Sequence, residues 1–166
     1  MTITNDEHIQ FALVEKAIDL NQLVAMVTTP DIGGICFFTG VVRGITYLED
    51  KKLETDHLFY EAFNSMAEQM LKQVATEIYQ KFPDVKHVSL LQRIGRLDIG
   101  DIAVAVACSS GHRGDGIFAA AEYGINRLKE IVPIWKKEIR SEGSKWVLGS
   151  YHPTAQDNQP KIHKTN

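Results

Sequence analysis

Two lysines stand side by side in Val132-Pro133-Ile134-Trp135-Lys136-Lys137-Glu138, and a third, Lys129, lies just upstream. In a strand, Ile134, Lys136 and Glu138 share one face, and Trp135, Lys137 and Ile139 share the other. One lysine then stands beside the apolar Trp135 face or snorkels past it. Partly desolvated lysines held close together lower each other's pKa, because like charges disfavour the protonated form. An amine in that state can act as acid, base or nucleophile near neutral pH. Taken singly, Lys129 also reads as a cation that simply favours the end of a helix.

Two further segments carry groups suited to an anion. Phe38-Thr39-Gly40-Val41-Val42-Arg43-Gly44 places an arginine at the end of a strand. A guanidinium there makes paired, charge-assisted bonds to phosphate, or is a solvated strand-end charge. Ser109-Ser110-Gly111-His112-Arg113-Gly114-Asp115-Gly116 joins an apolar strand to a helix. A glycine-rich turn before a helix exposes backbone N–H groups to anions, and His112 and Arg113 add side-chain donors. The plainer reading is an ordinary turn with Asp115 as the helix N-cap. It is not a Walker loop, since no Gly-Lys-Ser/Thr follows. Together these segments suggest a pocket for a small anionic molecule with lysine chemistry, without naming the molecule.

The elements that must position these groups are legible in outline. Residues 9–15 read as a strand, and Asp19 or Asn21 caps a short helix reaching residue 27. Residues 35–43 form a strand with Phe37, Thr39, Val41 and Arg43 on one face, residues 44–52 a polar loop, and 53–63 a second long strand. Asn64 or Ser65 caps a helix to about 82, with Met66, Met70, Val74 and Ile78 as its apolar stripe. Residues 88–91 form a short strand and 93–100 a turn. In 102–108, large residues alternate with Ala103, Ala105 and Ala107, the pattern of a central strand whose alanine face admits a helix closely. A helix over 117–131 buries Phe118, Ala121, Ile125 and Leu128 and closes at Pro133. Residues 134–140 and 145–148 form a hairpin. Strands joined by short turns with two long helices give an α+β class, mostly antiparallel. One domain spans 1–150, followed by a polar tail over 151–166.

The chain has 166 residues, 44% hydrophobic and 23% charged, which suits one globular domain. A net charge of -3 gives no global basic field for nucleic acid or an acidic membrane. Cys36 and Cys108 sit in apolar runs with no metal-ligand spacing, so both read as buried free thiols rather than sulfur carriers. Residues 1–8 have no secretory pattern and no stretch is long enough to span a bilayer, so a cytoplasmic location is expected.

In order, the segment ending at Arg43, Ser109-x-x-His112-Arg113, Leu128-Lys129 and Val132-Pro133-Ile134-Trp135-Lys136-Lys137-Glu138 resemble the large, catalytic subunits of molybdopterin synthase. Arg93-Ile94-Gly95-Arg96-Leu97-x-x-Gly100-Asp101 fits the same family, and the resemblance covers residues 9–148. It implies an α/β-hammerhead fold with a small additional β-subdomain. It implies conversion of cyclic pyranopterin monophosphate (precursor Z) to molybdopterin, a step of molybdenum cofactor biosynthesis. Both sulfurs come from a thiocarboxylate on the C-terminal Gly-Gly of a small ubiquitin-like sulfur-carrier subunit, within a heterotetramer built on a central dimer of large subunits. No metal or cofactor is expected. Carried over by resemblance, Lys129 and Lys136 are the active-site lysines, and Arg43, His112 and Arg113 are the substrate contacts. Val41, Val42, Lys137 and Glu138 lie in matching pocket segments. A non-catalytic adaptor would keep the fold and lose the lysines, and both are present. An unrelated phosphate-binding enzyme or regulator would share only the basic turn.

Overall fold

The computed structural model describes residues 4–6, 8–48, 51–140 and 143–147. In chain order the elements are β1 (Thr4–Asp6), β2 (Ile9–Val14), α1 (Leu20–Met26), β3 (Gly34–Val41), β4 (Ile45–Leu48), β5 (Lys51–Glu54) and β6 (His57–Ala62). Then come α2 (Asn64–Lys81), β7 (His87–Arg93), β8 (Gly95–Asp98), β9 (Ile102–Ser110), α3 (Ile117–Ile131), β10 (Ile134–Arg140) and β11 (Gly143–Val147).

The alternation in β9 sets the centre of the molecule. Val104, Val106 and Cys108 face α2 and α3, in a core with Leu71, Val74, Ile78, Ile125 and Leu128. Ala105 and Ala107 face the short α1, through Leu23 and Val27. Small side chains on that face let α1 lie close, as the sequence pattern implies. On the other face the close approach comes from α3 itself. A Cβ added at Gly124 would lie 2.9 Å from Ile78 Cδ1 and from Val106 Cγ1, so helix, helix and sheet meet where only glycine fits.

The described residues form three sheets. The first has the order β1-β2-β7-β9-β3, the second β11-β10-β6-β8, and the third is the β4-β5 hairpin. Among the described residues, only β2 and β7 pair in parallel; the other pairings are antiparallel. This is the expected α+β class. A small core of Val42, Leu58, Leu97 and Ala103, with Tyr60 against it, joins the second sheet to one end of the first.

Asp19 caps α1 as expected, its Oδ1 accepting from Asn21 N–H at 2.8 Å. Several boundaries differ. Residues 45–48 and 51–54 pair as β4 and β5 in place of the loop expected over 44–52, because Ile45, Thr46 and Tyr47 favour strand despite the charges that follow. The long strand expected over 53–63 breaks at Thr55 and Asp56, where pairing passes from β4 to β10 and Asp56 N–H bonds Ile139 C=O. The expected turn over 93–100 contains β8, bracketed by Gly95 at φ 85 and Gly100 at φ 91. Helix α2 starts after Phe63, with no side-chain cap bond, so Asn64 and Ser65 are its first residues rather than its cap. Its buried stripe is Ala67, Leu71, Val74, Ala75 and Ile78; Met66 and Met70 flank it, half-buried. Helix α3 buries Ile117, Ala120, Ala121, Gly124, Ile125 and Leu128, which turns Phe118 out to solvent. The expected tail over 151–166 lies outside the described residues, as does residue 148 of the expected hairpin.

Candidate active site

Strand register divides the expected site residues into two groups. β3 and β9 are antiparallel, with Gly34 opposite Ser110 and Val41 opposite Ile102. After β9 the chain turns and α3 runs back along the sheet. A Cβ on Gly34 would meet Ile117 at 3.3 Å, and one on Gly124 would meet Val106. At about 1.5 Å per residue, Lys129 lies about 18 Å along the axis from Ile117. His112 and Arg113 therefore stand at one end of α3. Lys129 stands at the other, the end where β3 delivers Arg43.

At the lysine end, Val132 N–H bonds Leu128 C=O at 3.0 Å, Pro133 is buried, and β10 leads back into the second sheet. This return brings Lys136 beside Lys129. The pKa of Lys129 is lowered by the protein crowding its ammonium, and then by the Lys136 charge. Lys129 is nonetheless exposed. The two facts agree in a cleft, where water reaches the amine while protein thins the solvent around it.

Lys136 lies opposite Tyr60 on β6 and Val147 on β11. Its Nζ is 3.4 Å from Glu138 Oε1, and Arg140 donates to Glu138 Oε2 at 2.6 Å. The Glu138 side chain is 13% exposed, against 30% for Lys136 and 24% for Arg140, so the carboxylate is the inner ion of the cluster. Burial, and then the Glu138 charge, push the Tyr60 phenol upward. Lys136 and Arg140 share one carboxylate, and Lys129 adds a charge felt alongside Lys136, which leaves an excess of positive charge suited to an anionic group. Sequence reasoning named neither Tyr60 nor Arg140. Strand alternation could have found Arg140, two residues beyond Glu138; Tyr60 needed the β6–β10 register.

The other expected residues fall as follows. Lys137 points to the opposite face of β10, its Nζ 5.5 Å from the Trp146 ring centroid, so the adjacent lysines part company. Val41 is exposed at the end of β3, where the register shifts. Val42 is buried, with its N–H on Asp101 C=O and its C=O accepting from Gly100 N–H. Its place is in the core beneath Arg43, which is exposed. Arg93 and Asp101, the ends of the Arg93-to-Asp101 motif, form an ion pair at 2.9 Å and hold the β8 turn together.

At the far end of α3, Asp115 is committed to the turn. Its Oδ2 accepts from His112 N–H at 2.8 Å, and Ser110 Oγ donates to His112 C=O at 2.6 Å. Asp115 is thus not the N-cap; Gly116, at φ 80, takes that position. The His112 and Arg113 side chains are exposed.

Cys36 and Cys108 face each other across β3 and β9 as free thiols, Cys108 buried and Cys36 half-buried. Burial, and then the neighbouring Cys36, push Cys108 up to about 12; burial raises Cys36. Neither is a thiolate at neutral pH, which suits packing rather than sulfur transfer. Among the described residues, no three His, Cys, Asp or Glu are placed to hold a metal ion.

Residues 13–131 match a model of the MoaE protein family, a span that includes Arg43, His112, Arg113 and Lys129. The chain belongs to the MoaE family. A molybdopterin synthase catalytic subunit of Halalkalibacterium halodurans is 41% identical over 93% of this chain and 96% of that one. One from Staphylococcus carnosus is 46% identical over 88% and 95%. The crystal structure of molybdopterin synthase from Staphylococcus aureus superposes with a TM-score of 0.73, at 44% identity, over 81% of this chain and 94% of that one. A complex of subunits 1 and 2 of molybdopterin-converting factor from Helicobacter pylori shares the fold at 17% identity and a TM-score of 0.67, over 86% and 93%. The MoaE relatives thus carry the fold and the enzyme class that the sequence motifs imply.

Proposed function

We propose that this MoaE-family chain is the catalytic subunit of a molybdopterin synthase acting in the cytoplasm. Among the described residues, no helix is long and apolar enough to cross a membrane. In this reading the chain converts cyclic pyranopterin monophosphate to molybdopterin with sulfur carried as a thiocarboxylate on the C-terminus of a small partner subunit. The observation that carries the reading is the Lys129–Lys136 cleft braced by Glu138, in a chain closely related to molybdopterin synthase catalytic subunits. The partner's anionic tail is drawn to the amine pair. A glycine tail enters such a cleft without side-chain clash. Lys129, its pKa lowered, moves a proton or stabilises the oxyanion as sulfur leaves the carrier's acyl carbon, and Lys136 holds the charge beside it. Arg43 and Val41 are exposed at the end of β3, on the same end of the first sheet as Lys129. Lys137, with Trp135 and Trp146, presents an exposed aromatic face suited to the partner's globular body.

His112 and Arg113 take the substrate phosphate through charge-assisted bonds. Because they precede Ile117, which lies about 18 Å along α3 from Lys129, one pocket unites both groups only when a second copy supplies the turn. β3 supports such a dimer: it ends its sheet among the described residues and exposes Phe37, Phe38 and Val41, with Phe118 on α3 also exposed. Reconstitution tests the reading. The chain with a thiocarboxylated partner and precursor should make molybdopterin, while the chain with precursor and free sulfide should not. Equal rates from free sulfide would end the protein-borne sulfur reading.

A further inference from the structure

A cavity lined by His8, Thr29, Asp31, Tyr79, Lys86 and His87 opens at the His112–Arg113 end of the first sheet. It lies there because His87 is opposite Ser109 on β9 and Lys86 N–H bonds Ser109 C=O. Its walls contain a chain of polar contacts that the lysine chemistry does not use. Lys86 pairs with Asp31 Oδ2. Thr29 Oγ donates its single proton to Asp31 Oδ1 at 2.6 Å. Thr29 Oγ also lies 3.2 Å from His87 Nε2. With its proton committed, the hydroxyl can only accept, so His87 Nε2 is the N–H donor. The Lys86 ammonium, and then the Thr29 hydroxyl, hold Asp31 at about 2, so its carboxylate stays ionised through neutral pH.

This network fixes residues 29–34, and that segment is the wall behind the basic turn. Ile32 N–H closes on Thr29 C=O at 3.0 Å, and Gly33 N–H bonds Ser110 C=O at 3.0 Å. A Cβ on Gly33 would fall 2.2 Å from Gly111 C=O, so the two backbones touch there. A Cβ on Gly34 would lie 3.6 Å from Arg113 N, and one on Gly111 would lie 3.7 Å from Asp31 C=O. A shift of the 29–34 segment therefore moves the backbone that carries His112 and Arg113.

We propose that Thr29 and Asp31 are positioning residues for the substrate phosphate, acting through the Gly111–Arg113 backbone. This rests on reading His112 and Arg113 as the phosphate site. Losing the Thr29 hydroxyl removes the acceptor for His87 and a donor to Asp31, and frees the wall. Displacing a binding group by a fraction of an ångström weakens the ligand it holds. The Lys129 and Lys136 end of the same chain stays as it was.

The test uses the full chain with its thiocarboxylated partner and compares Thr29→Val, Thr29→Ser, Arg113→Ala and the Thr29→Val/Arg113→Ala double variant. Thr29→Val should raise KM for the precursor about tenfold and leave kcat within about twofold. Thr29→Ser, which keeps the hydroxyl, should restore KM. The double variant should bind precursor no worse than Arg113→Ala, because both act on one contact. Multiplying effects, or a loss confined to kcat, would overturn the proposal. If Arg113→Ala raises KM and Thr29→Val does not, the positioning role falls and the phosphate site stands. If Arg113→Ala leaves KM unchanged, both fall. Should Thr29→Val not fold, Asp31→Asn is expected to show the same pattern, and an unchanged KM there is equally decisive against the proposal.

Discussion

Lys136 reaches Glu138 two residues further along the same strand, Nζ to Oε1 at 3.4 Å, and the other oxygen of that carboxylate holds Arg140. The contact places Lys136 on the face shared with Tyr60, while its neighbour Lys137 turns to Trp146. A side-by-side lysine pair in sequence is thus one cleft lysine and one surface lysine in space.

Glu138→Ala should therefore damage both position and stability. It leaves Lys136 and Arg140 facing each other without the carboxylate between them. Removing the acceptor of a partly buried charge-assisted bond costs about 1–3 kcal/mol. Urea denaturation should show that loss with an unchanged m-value, and turnover should fall well beyond what the unfolded fraction explains. Lys137→Ala, by contrast, should keep kcat and weaken the partner complex. A Lys137→Ala loss in kcat equal to that of Lys136→Ala would undo the separation of the two lysines.

Lys129 should be a destabilising charge kept for its chemistry. Its folded pKa lies below the ordinary 10.5, so over the interval between the two values the unfolded chain binds more protons. Stability then rises with pH through that interval, and below it the lysine charge is a standing penalty. Lys129→Met should raise Tm at pH 7, with the gain fading as pH approaches 10.5, and should lower turnover by about 10²–10⁴-fold. The pKa can be read directly by NMR titration of the amine. Lys136→Met should move it upward, because the like charge is gone; no movement would show that the two amines are too far apart to interact.

What was legible in the sequence follows from where the physics is local. The alternation in Ile102–Ser110 and the Pro133 stop define β9 and the end of α3 from neighbouring residues alone. The charged stretch after Tyr47 hid the β4-β5 pairing, which each strand owes to residues of the other. The site shows the same division. Lys129, Lys136 and Glu138 stand out by type and spacing, whereas Tyr60 joins them only through the β6–β10 register, and the Thr29 brace is 58 residues from His87. The Arg93–Asp101 motif, which carries part of the family resemblance, is structural: its ions and two left-handed glycines shape β8.

Gly124 offers a test of how tightly α3 is held. A methyl there would sit 2.9 Å from both Ile78 Cδ1 and Val106 Cγ1. Overpacking of this kind costs about 1–3 kcal/mol, and the better helix propensity of alanine returns up to about 1 kcal/mol. Gly124→Ala should therefore lose about 1–2 kcal/mol in chemical denaturation. Because α3 carries Lys129 at one end and follows Arg113 at the other, activity should fall at temperatures where the variant is still fully folded. A neutral or stabilising Gly124→Ala would show that the helix has room to move.

The separation of Arg113 from Lys129 leads to the most discriminating experiment. Along α3, Ile117 and Lys129 lie about 18 Å apart, and Arg113 precedes Ile117, so a pocket that needs both Arg113 and Lys129 draws them from different copies of the chain. Arg113→Ala should weaken precursor binding by about one to two decades, the worth of a charge-assisted contact of roughly 1.5–3 kcal/mol. Lys129→Ala should bind precursor and not turn it over. Each variant by itself has two defective pockets. In a mixed dimer, one pocket collects both defects and the other collects neither, because the intact Arg113 of one chain meets the intact Lys129 of the other. At precursor concentrations too low for Arg113→Ala to turn over, mixing the two proteins under conditions that exchange subunits should thus restore activity. With random exchange half of the dimers are mixed, and each holds one intact pocket of two, which sets the ceiling at about a quarter of the wild-type rate on that dimer model. Recovery near that level, absent when exchange is blocked by cross-linking, supports the shared pocket. Exchange verified by mass spectrometry with no recovery would place Arg113 and Lys129 in a self-contained pocket of one chain and overturn the shared one.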